Sequence, residues 1–232
     1  MPHKIVLNSK SSKHSDVSKL PKELYEAYKL ILTWIGRDND LTKSDLANYE
    51  DTAARATKAL MEMIKTRTEI TDSLKDILSV GFPLDKDNSD KHAGIQLEGP
   101  ILLHSFCPHH LALVTYTCWM AYLPSKSGHV LGLSKLPRLA KLVAKRPVLQ
   151  EQLAADLADI LYYYPSLTEK FPAIESEGSA IMLTGKHACV SCRGVESQNL
   201  TTSTELRGAF FSPEMETKFY QMINATRNSE IK

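Results

Sequence analysis

The stretch GIQLEGPILLHSFCPHHLALVTYTCWMAYLP, residues 94–124, holds two runs rich in β-branched and aromatic residues, parted by Cys107-Pro108-His109-His110. Runs of this kind read as strands, the second stopped by Pro124 and the turn residues SKSG. On the N-terminal side the grammar is helical. Leu24, Tyr28, Ile31 and Ile35 form one amphipathic stripe that stops near Gly36. Ala56, Leu60, Met63 and Ile64 mark a second helix with Thr52 as its candidate cap. Ile70, Leu74, Ile77 and Leu78 mark a third, ended by Gly81 and Pro83. RDNDLTKSD (37–45) reads as a turn and DKDNSDKHAG (85–94) as a charged loop.

On the C-terminal side, Leu136, Leu139, Leu142 and Val143 stripe one helix. A second is expected to start at Pro147, a favoured first helical position, and carries Leu149, Leu153, Leu157, Ile160 and Leu161. SAIMLTGKHACVSCRGV (179–195) and NLTTSTELRGAFF (199–211) read as strands. A last helix opens at Ser212-Pro213, with Met215, Phe219, Met222 and Ile223 on one face. Strands and helices do not alternate singly, so a doubly wound parallel sheet is disfavoured. The order fits an α+β fold with helices on one face of an antiparallel sheet. Three regions are expected: a polar mobile tail (1–18), an N-terminal helical region (19–92) and a domain carrying the chemistry (93–232).

Composition narrows the function classes. With 28 Lys+Arg against 27 Asp+Glu, the net charge of +1 gives no overall argument for nucleic-acid binding. No apolar run approaches the ~18 residues of a membrane span, and MPHKIVLNSKSSKHSD lacks the apolar core of a secretory signal. Four cysteines in 232 residues are too few for a disulfide scaffold. They fit a reducing, cytoplasmic setting with metal-binding or catalytic thiols.

Three of those cysteines lie beside histidines. Cys107 and His110 are three positions apart, and His187-Ala188-Cys189 is followed by Cys192. Thiolate and imidazole suit zinc, with four protein ligands in structural sites and three in catalytic ones. A closed site of Cys107, His110, Cys189 and Cys192 is one reading. An open site with fewer ligands is another, and a redox role for the C-x-x-C pair a third. The spare histidines, His109 and His187, favour the open site, where proton carriers are useful. Cys118, in mid-strand, reads as a buried small hydrophobe. Lys135, Arg138, Lys141 and Lys145 recur at about helical spacing after Ser134. That is either a solvated face or an anion site at a helix start. Glu151, next to Gln150, either stabilises a helix start or offers a carboxylate to a pair of base N–H groups.

Taken in order, these residues resemble the GTP cyclohydrolase I family. CPHHLAL (107–113) resembles its C-E-H-H motif, and GLSKLPRLAKLVAKRPVLQEQL (132–153) its long central signature. HACVSCRGV (187–195) is similar to H-x-C-x-x-x-R-G-V, and NLTTSTELRGAFF to its Thr/Ser-rich closing strand. DTAARATKAL (51–60) resembles the family's T-P-x-R-x-x-K helix. Pro108 stands where the family carries Glu, and Pro137 lies within the S-K-x-x-R segment.

The resemblance implies a tunnelling fold, an antiparallel sheet backed by two helices. It further implies a homo-oligomeric ring, most simply a decamer of two stacked pentamers, with active sites between subunits. The implied reaction is zinc-dependent conversion of GTP to 7,8-dihydroneopterin triphosphate and formate. The implied zinc ligands are Cys107, His110 and Cys189, which leaves Cys192 out. His109 and His187 would transfer protons. Glu151, helped by Gln150, would read guanine. Ser134, also counted among the catalytic groups, would hold ribose and triphosphate with Lys135, Arg138 and Arg193. Arg55 and Lys58 would reach the phosphates from a neighbouring subunit. Opening an imidazole ring at carbon 8 of guanine needs a strong nucleophile near neutral pH, which zinc provides by acidifying water. Rivals are another tunnelling-fold enzyme, such as the reductase of 7-deazaguanine nitrile, and a non-catalytic zinc-stabilised module binding nucleic acid. No membrane partner is expected.

Overall fold

The computed structural model describes residues 17–36, 48–79, 81–83, 94–125, 129–163 and 176–229. The turn expected at 37–45, most of the loop at 85–94 and most of the tail lie outside them. The chain divides into two compact units, residues 1–64 and 65–232. In the first, α1 (Lys22–Ile35) packs with α2 (Thr52–Met63). The second helix does not use Thr52 as its cap. Asp51 is the N-cap residue, and the Thr52 hydroxyl instead donates to the Asn48 carbonyl at 3.3 Å. Its buried residues are Ala53, Ala54 and Thr57, a face offset from the Ala56/Leu60/Met63 stripe. Small side chains carry that burial, so counting bulky residues picks the neighbouring face.

The second unit begins with α3 (Arg67–Leu78). It opens on a reciprocal cap: Thr66 Oγ1 accepts from the Glu69 amide at 3.2 Å, and Glu69 accepts from the Thr66 amide at 2.8 Å. Gly81–Pro83 forms a short strand, β1, paired antiparallel with β4 (His129–Leu131). The main sheet joins β2 (Gln96–Phe106), β3 (Leu113–Pro124), β5 (Ser176–His187) and β6 (Thr201–Gly208) in the order β2-β3-β5-β6, all antiparallel.

One sheet face lies under α4 (Lys135–Val143) and α5 (Gln150–Tyr163). The core there includes Tyr116, Cys118, Met120, Leu139, Val143, Leu153, Leu157 and Leu161. The opposite face is also partly covered. Trp119, Ala121, Ala180 and Met182 pack with Phe210, Phe219 and Ile223, the last two from α7 (Pro213–Ser229). The expectation of helices on one face is therefore corrected. Midway along β3 the alternation of buried and half-exposed residues gives way to burial on both faces, and α7 covers the second.

Two boundaries near the chemistry also differ from expectation. Pro147 does not start α5; it forms an isolated parallel bridge with Phe106, and Val148 N–H donates to the Phe106 carbonyl at 3.1 Å. The helix therefore begins at Gln150. The strand expected over 179–195 ends at His187, where the one-turn α6 (Ala188–Ser191) takes over.

Candidate metal centre and its cavity

Cys107-Pro108-His109-His110 forms the turn between β2 and β3. Cys107 N–H donates to the Ala112 carbonyl and Leu111 N–H to the Cys107 carbonyl, each at 2.8 Å. Leu111 takes the left-handed conformation, φ 49°, that lets the turn close. The closed turn places Cys107 Sγ 3.6 Å from His110 Nδ1. β5 runs antiparallel to β3 with Val114 opposite His187, so the end of β5 arrives beside the turn. α6 then brings Cys189 to the same point. The donor atoms of Cys107, His110 and Cys189 all lie within 4.8 Å of one another. Burial, with the neighbouring Cys107 thiol, holds the Cys189 thiol above its ordinary pKa, and Arg193 opposes that shift. Cys192 is exposed and stands outside this group, which argues against the closed four-ligand reading. Cys118 is fully buried, and burial pushes its thiol pKa far up, as expected of a core residue.

A cavity of about 610 Å³ opens over the three donors. His109, His187, Gln150 and Glu151 line it, with apolar walls from Val148, Leu149, Val190 and Val195. His109 stands edge-on to His110, ring centroids 6.2 Å apart. Gln150 is 2% exposed. Its Nε2 donates toward the carbonyls of Leu183 (3.2 Å) and Thr201 (2.9 Å) and toward Ser203 Oγ (3.1 Å). Backbone carbonyls only accept, so the amide nitrogen must face them and Oε1 must face His187, 2.9 Å from its Nε2. His187 Nε2 therefore carries hydrogen and donates. In the neutral ring the lone pair sits on Nδ1. Burial lowers the His187 pKa below its ordinary value, and the nearby Glu151 carboxylate opposes this. Gln150 was expected beside Glu151 on the base; its amide is instead committed to the sheet and to His187. Glu151 is exposed in the first turn of α5 and free to face a ligand.

Ser134, Lys135 and Arg138 lie at the start of α4 and do not line the cavity. Ser134 and Arg138 are exposed there. Arg193 is exposed and acts electrostatically on Cys189. Arg55 and Lys58 sit exposed on α2, in the other compact unit. The supports of Gln150 at Leu183, Thr201 and Ser203 escaped the sequence reading. They come from strands 33 to 53 residues away, and only the sheet brings them together.

Two thiols and an imidazole at converging strand ends, open to a cavity with a carboxylate and two more histidines, define an α+β protein with a three-donor group that could hold a metal ion. The GTP cyclohydrolase I family model matches residues 24–224, and the chain belongs to that family. Among curated relatives, the GTP cyclohydrolase 1 of Thermoanaerobacter pseudethanolicus is 32% identical over 83% of this chain and 90% of its own length. That of Caldanaerobacter subterraneus subsp. tengcongensis is 30% identical over 89% of this chain and 98% of its own. The Sulfolobus acidocaldarius protein of the same name is 29% identical over 91% and 94%.

Proposed function

We propose that the chain converts GTP to 7,8-dihydroneopterin triphosphate and formate in this cavity, as a zinc-dependent GTP cyclohydrolase I. The observation that carries the reading is the clustering of Cys107, His110 and Cys189 beneath a cavity that also presents His109, His187 and Glu151. The donor chemistry fits zinc, since two sulfurs and one imidazole nitrogen form a borderline-soft set of three, the number used by catalytic sites. Bound there, zinc supplies Lewis acidity toward oxygen.

The chain's own residues supply the rest. Glu151 accepts two parallel hydrogen bonds from guanine, at the ring N–H and the exocyclic amine. Adenine lacks that donor pair and leaves the carboxylate unpaired. His187, anchored through Nε2, exchanges a proton at Nδ1, and His109 serves as the second proton carrier as carbon–nitrogen bonds open. Gln150 is a positioning residue that fixes the tautomer of His187. The exposed start of α4, with Ser134, Lys135 and Arg138, holds ribose and triphosphate together with Arg193. Arg55 and Lys58 reach the phosphates from a neighbouring subunit.

The same reading makes the sheet and helices of residues 93–232 a tunnelling-fold catalytic domain, with residues 19–92 as a helical region and 1–18 as a tail. It makes the assembly a cytoplasmic ring, a decamer in its simplest form, at the first step of a pterin, folate or deazaguanine route. Incubation of the purified protein with GTP tests the activity. Formate and an oxidisable fluorescent pterin should appear in equal amounts, and ATP should give neither. Absence of both products from zinc-replete protein would contradict the reading.

A further inference from the structure

Tyr116 lies on β3 directly opposite Gly185 on β5. Its side chain has no exposed surface and sits on the sheet face covered by α4 and α5. The ring stands edge-on to the His187 imidazole, centroids 5.8 Å apart and planes at 86°. Gly185 makes room for this. A Cβ there would lie 2.7 Å from Tyr116 Cε1 and 2.4 Å from Gln150 Oε1. That oxygen is the one facing His187 Nε2. Tyr116, Gln150 and His187 thus meet around a side chain that residue 185 does not have. Glycine inside a strand commonly marks such a close approach.

We propose that Tyr116 is a positioning residue for His187, and that Gly185 is what allows it to act. One hydrogen bond fixes Nε2 but leaves the imidazole free to pivot about the N···O line. An aromatic ring edge-on to it sets the plane. Together the two contacts aim Nδ1. The ring is the working part. The Tyr116 hydroxyl is buried with no hydrogen-bond partner among the described residues. Burial and the nearby acidic groups Cys107, Glu151 and Cys189 keep it protonated. Removing the oxygen should therefore leave the alignment intact.

The proposal rests on His187 as a proton carrier, so the test needs a readout besides turnover. Full-length zinc-loaded Tyr116→Phe, Tyr116→Leu and Gly185→Ala would be compared with wild type. The readouts are kcat and KM for GTP and the 15N resonances of histidine-labelled protein, with His187 assigned by its loss in His187→Gln. Tyr116→Phe should keep kcat within about 2-fold and keep the Nε2–H signature. Tyr116→Leu should lower kcat on the order of 10- to 100-fold, the scale of a small misplacement of a catalytic group. KM should hold, and the His187 signals should shift toward mixed tautomers. Gly185→Ala should do the same with the tyrosine still present, because its Cβ displaces both Tyr116 and Gln150. An unchanged kcat and His187 spectrum in Tyr116→Leu or in Gly185→Ala would overturn the proposal. So would a loss in Tyr116→Phe equal to that in Tyr116→Leu, which would move the role to the hydroxyl. If the protein does not turn over GTP, the 15N spectra still decide the positioning, so the two failures are told apart.

Discussion

Gln150 shows how far a single residue's surroundings decide its role. Next to Glu151 in the sequence it looks like a second reader of the base, yet its amide is fully occupied by Leu183, Thr201, Ser203 and His187. Gln150→Ala should therefore retain zinc and bind GTP at near wild-type affinity, while kcat falls on the order of 10- to 100-fold. Equal losses in affinity and turnover would restore it to the base. Glu151 is the opposite case, exposed and free to bind. Glu151→Ala should raise the Kd for GTP by at least ~10-fold, since charged hydrogen bonds are worth about 1.5–3 kcal/mol. Direct binding to that variant, compared with wild type, checks this. The three-donor group was legible as a candidate in the sequence because the spacing is local in Cys107/His110 and the second cluster also pairs a thiol with a histidine. What spacing alone left open was whether Cys192 joins that group. It depends on α6 interrupting the strand after His187 and leaving Cys192 exposed beyond the turn. Metal analysis should find zinc lost in Cys107→Ser and kept in Cys192→Ser.

At the scale of elements, the helices and strands with bulky periodic residues stand close to where their patterns put them. α7 opens at Ser212-Pro213, with the Ser212 hydroxyl accepting from the Met215 amide at 3.3 Å. The boundaries that moved did so for tertiary reasons. Pro147 is compatible with a helix start, but the Phe106 carbonyl draws the chain onto the sheet edge and delays α5 to Gln150. That delay puts Gln150 and Glu151 in the first turn, at the cavity. The Thr66/Glu69 cap on α3 makes a pH prediction. Backbone and side-chain hydrogen bonds from Thr66 lower the Glu69 pKa to about 2, from an ordinary ~4.3. A carboxylate depressed in the folded state stabilises above its unfolded pKa, and that contribution disappears as pH falls through the folded value. Glu69→Gln should therefore lower the melting temperature at pH 6, with the difference from wild type shrinking between about pH 4.3 and 2. A difference constant down to pH 2 would mean that the carboxylate charge plays no part. The core of α5 offers a second check. Leu157 is fully buried, and Leu157→Ala should destabilise by about 2–5 kcal/mol in chemical denaturation.

For the whole molecule, the α+β class follows from the order of elements, and the structure adds the covering of the second face by α7. Apolar residues on both sides of β3, from Trp119 to Tyr122, carry that signal, but a strand buried on both faces does not say what buries it. β2 and β6 are the outer strands of the sheet, and open edges favour pairing with further copies. If the proposed ring forms and Arg55 and Lys58 act across it, inactive Cys107→Ser mixed with inactive Arg55→Ala/Lys58→Ala should regain part of the activity. Verified mixed rings without any recovery would take Arg55 and Lys58 out of the site. The central claim is that Cys107, His110 and Cys189 hold the metal of a GTP cyclohydrolase. It is tested most directly by titrating zinc into metal-free protein while measuring formate released from GTP. The rate should climb in proportion to zinc and level off at one ion per chain, and Cys107→Ser should stay at background throughout. Full formate release from metal-free protein, or a Cys107→Ser variant that responds to zinc as wild type does, would contradict it.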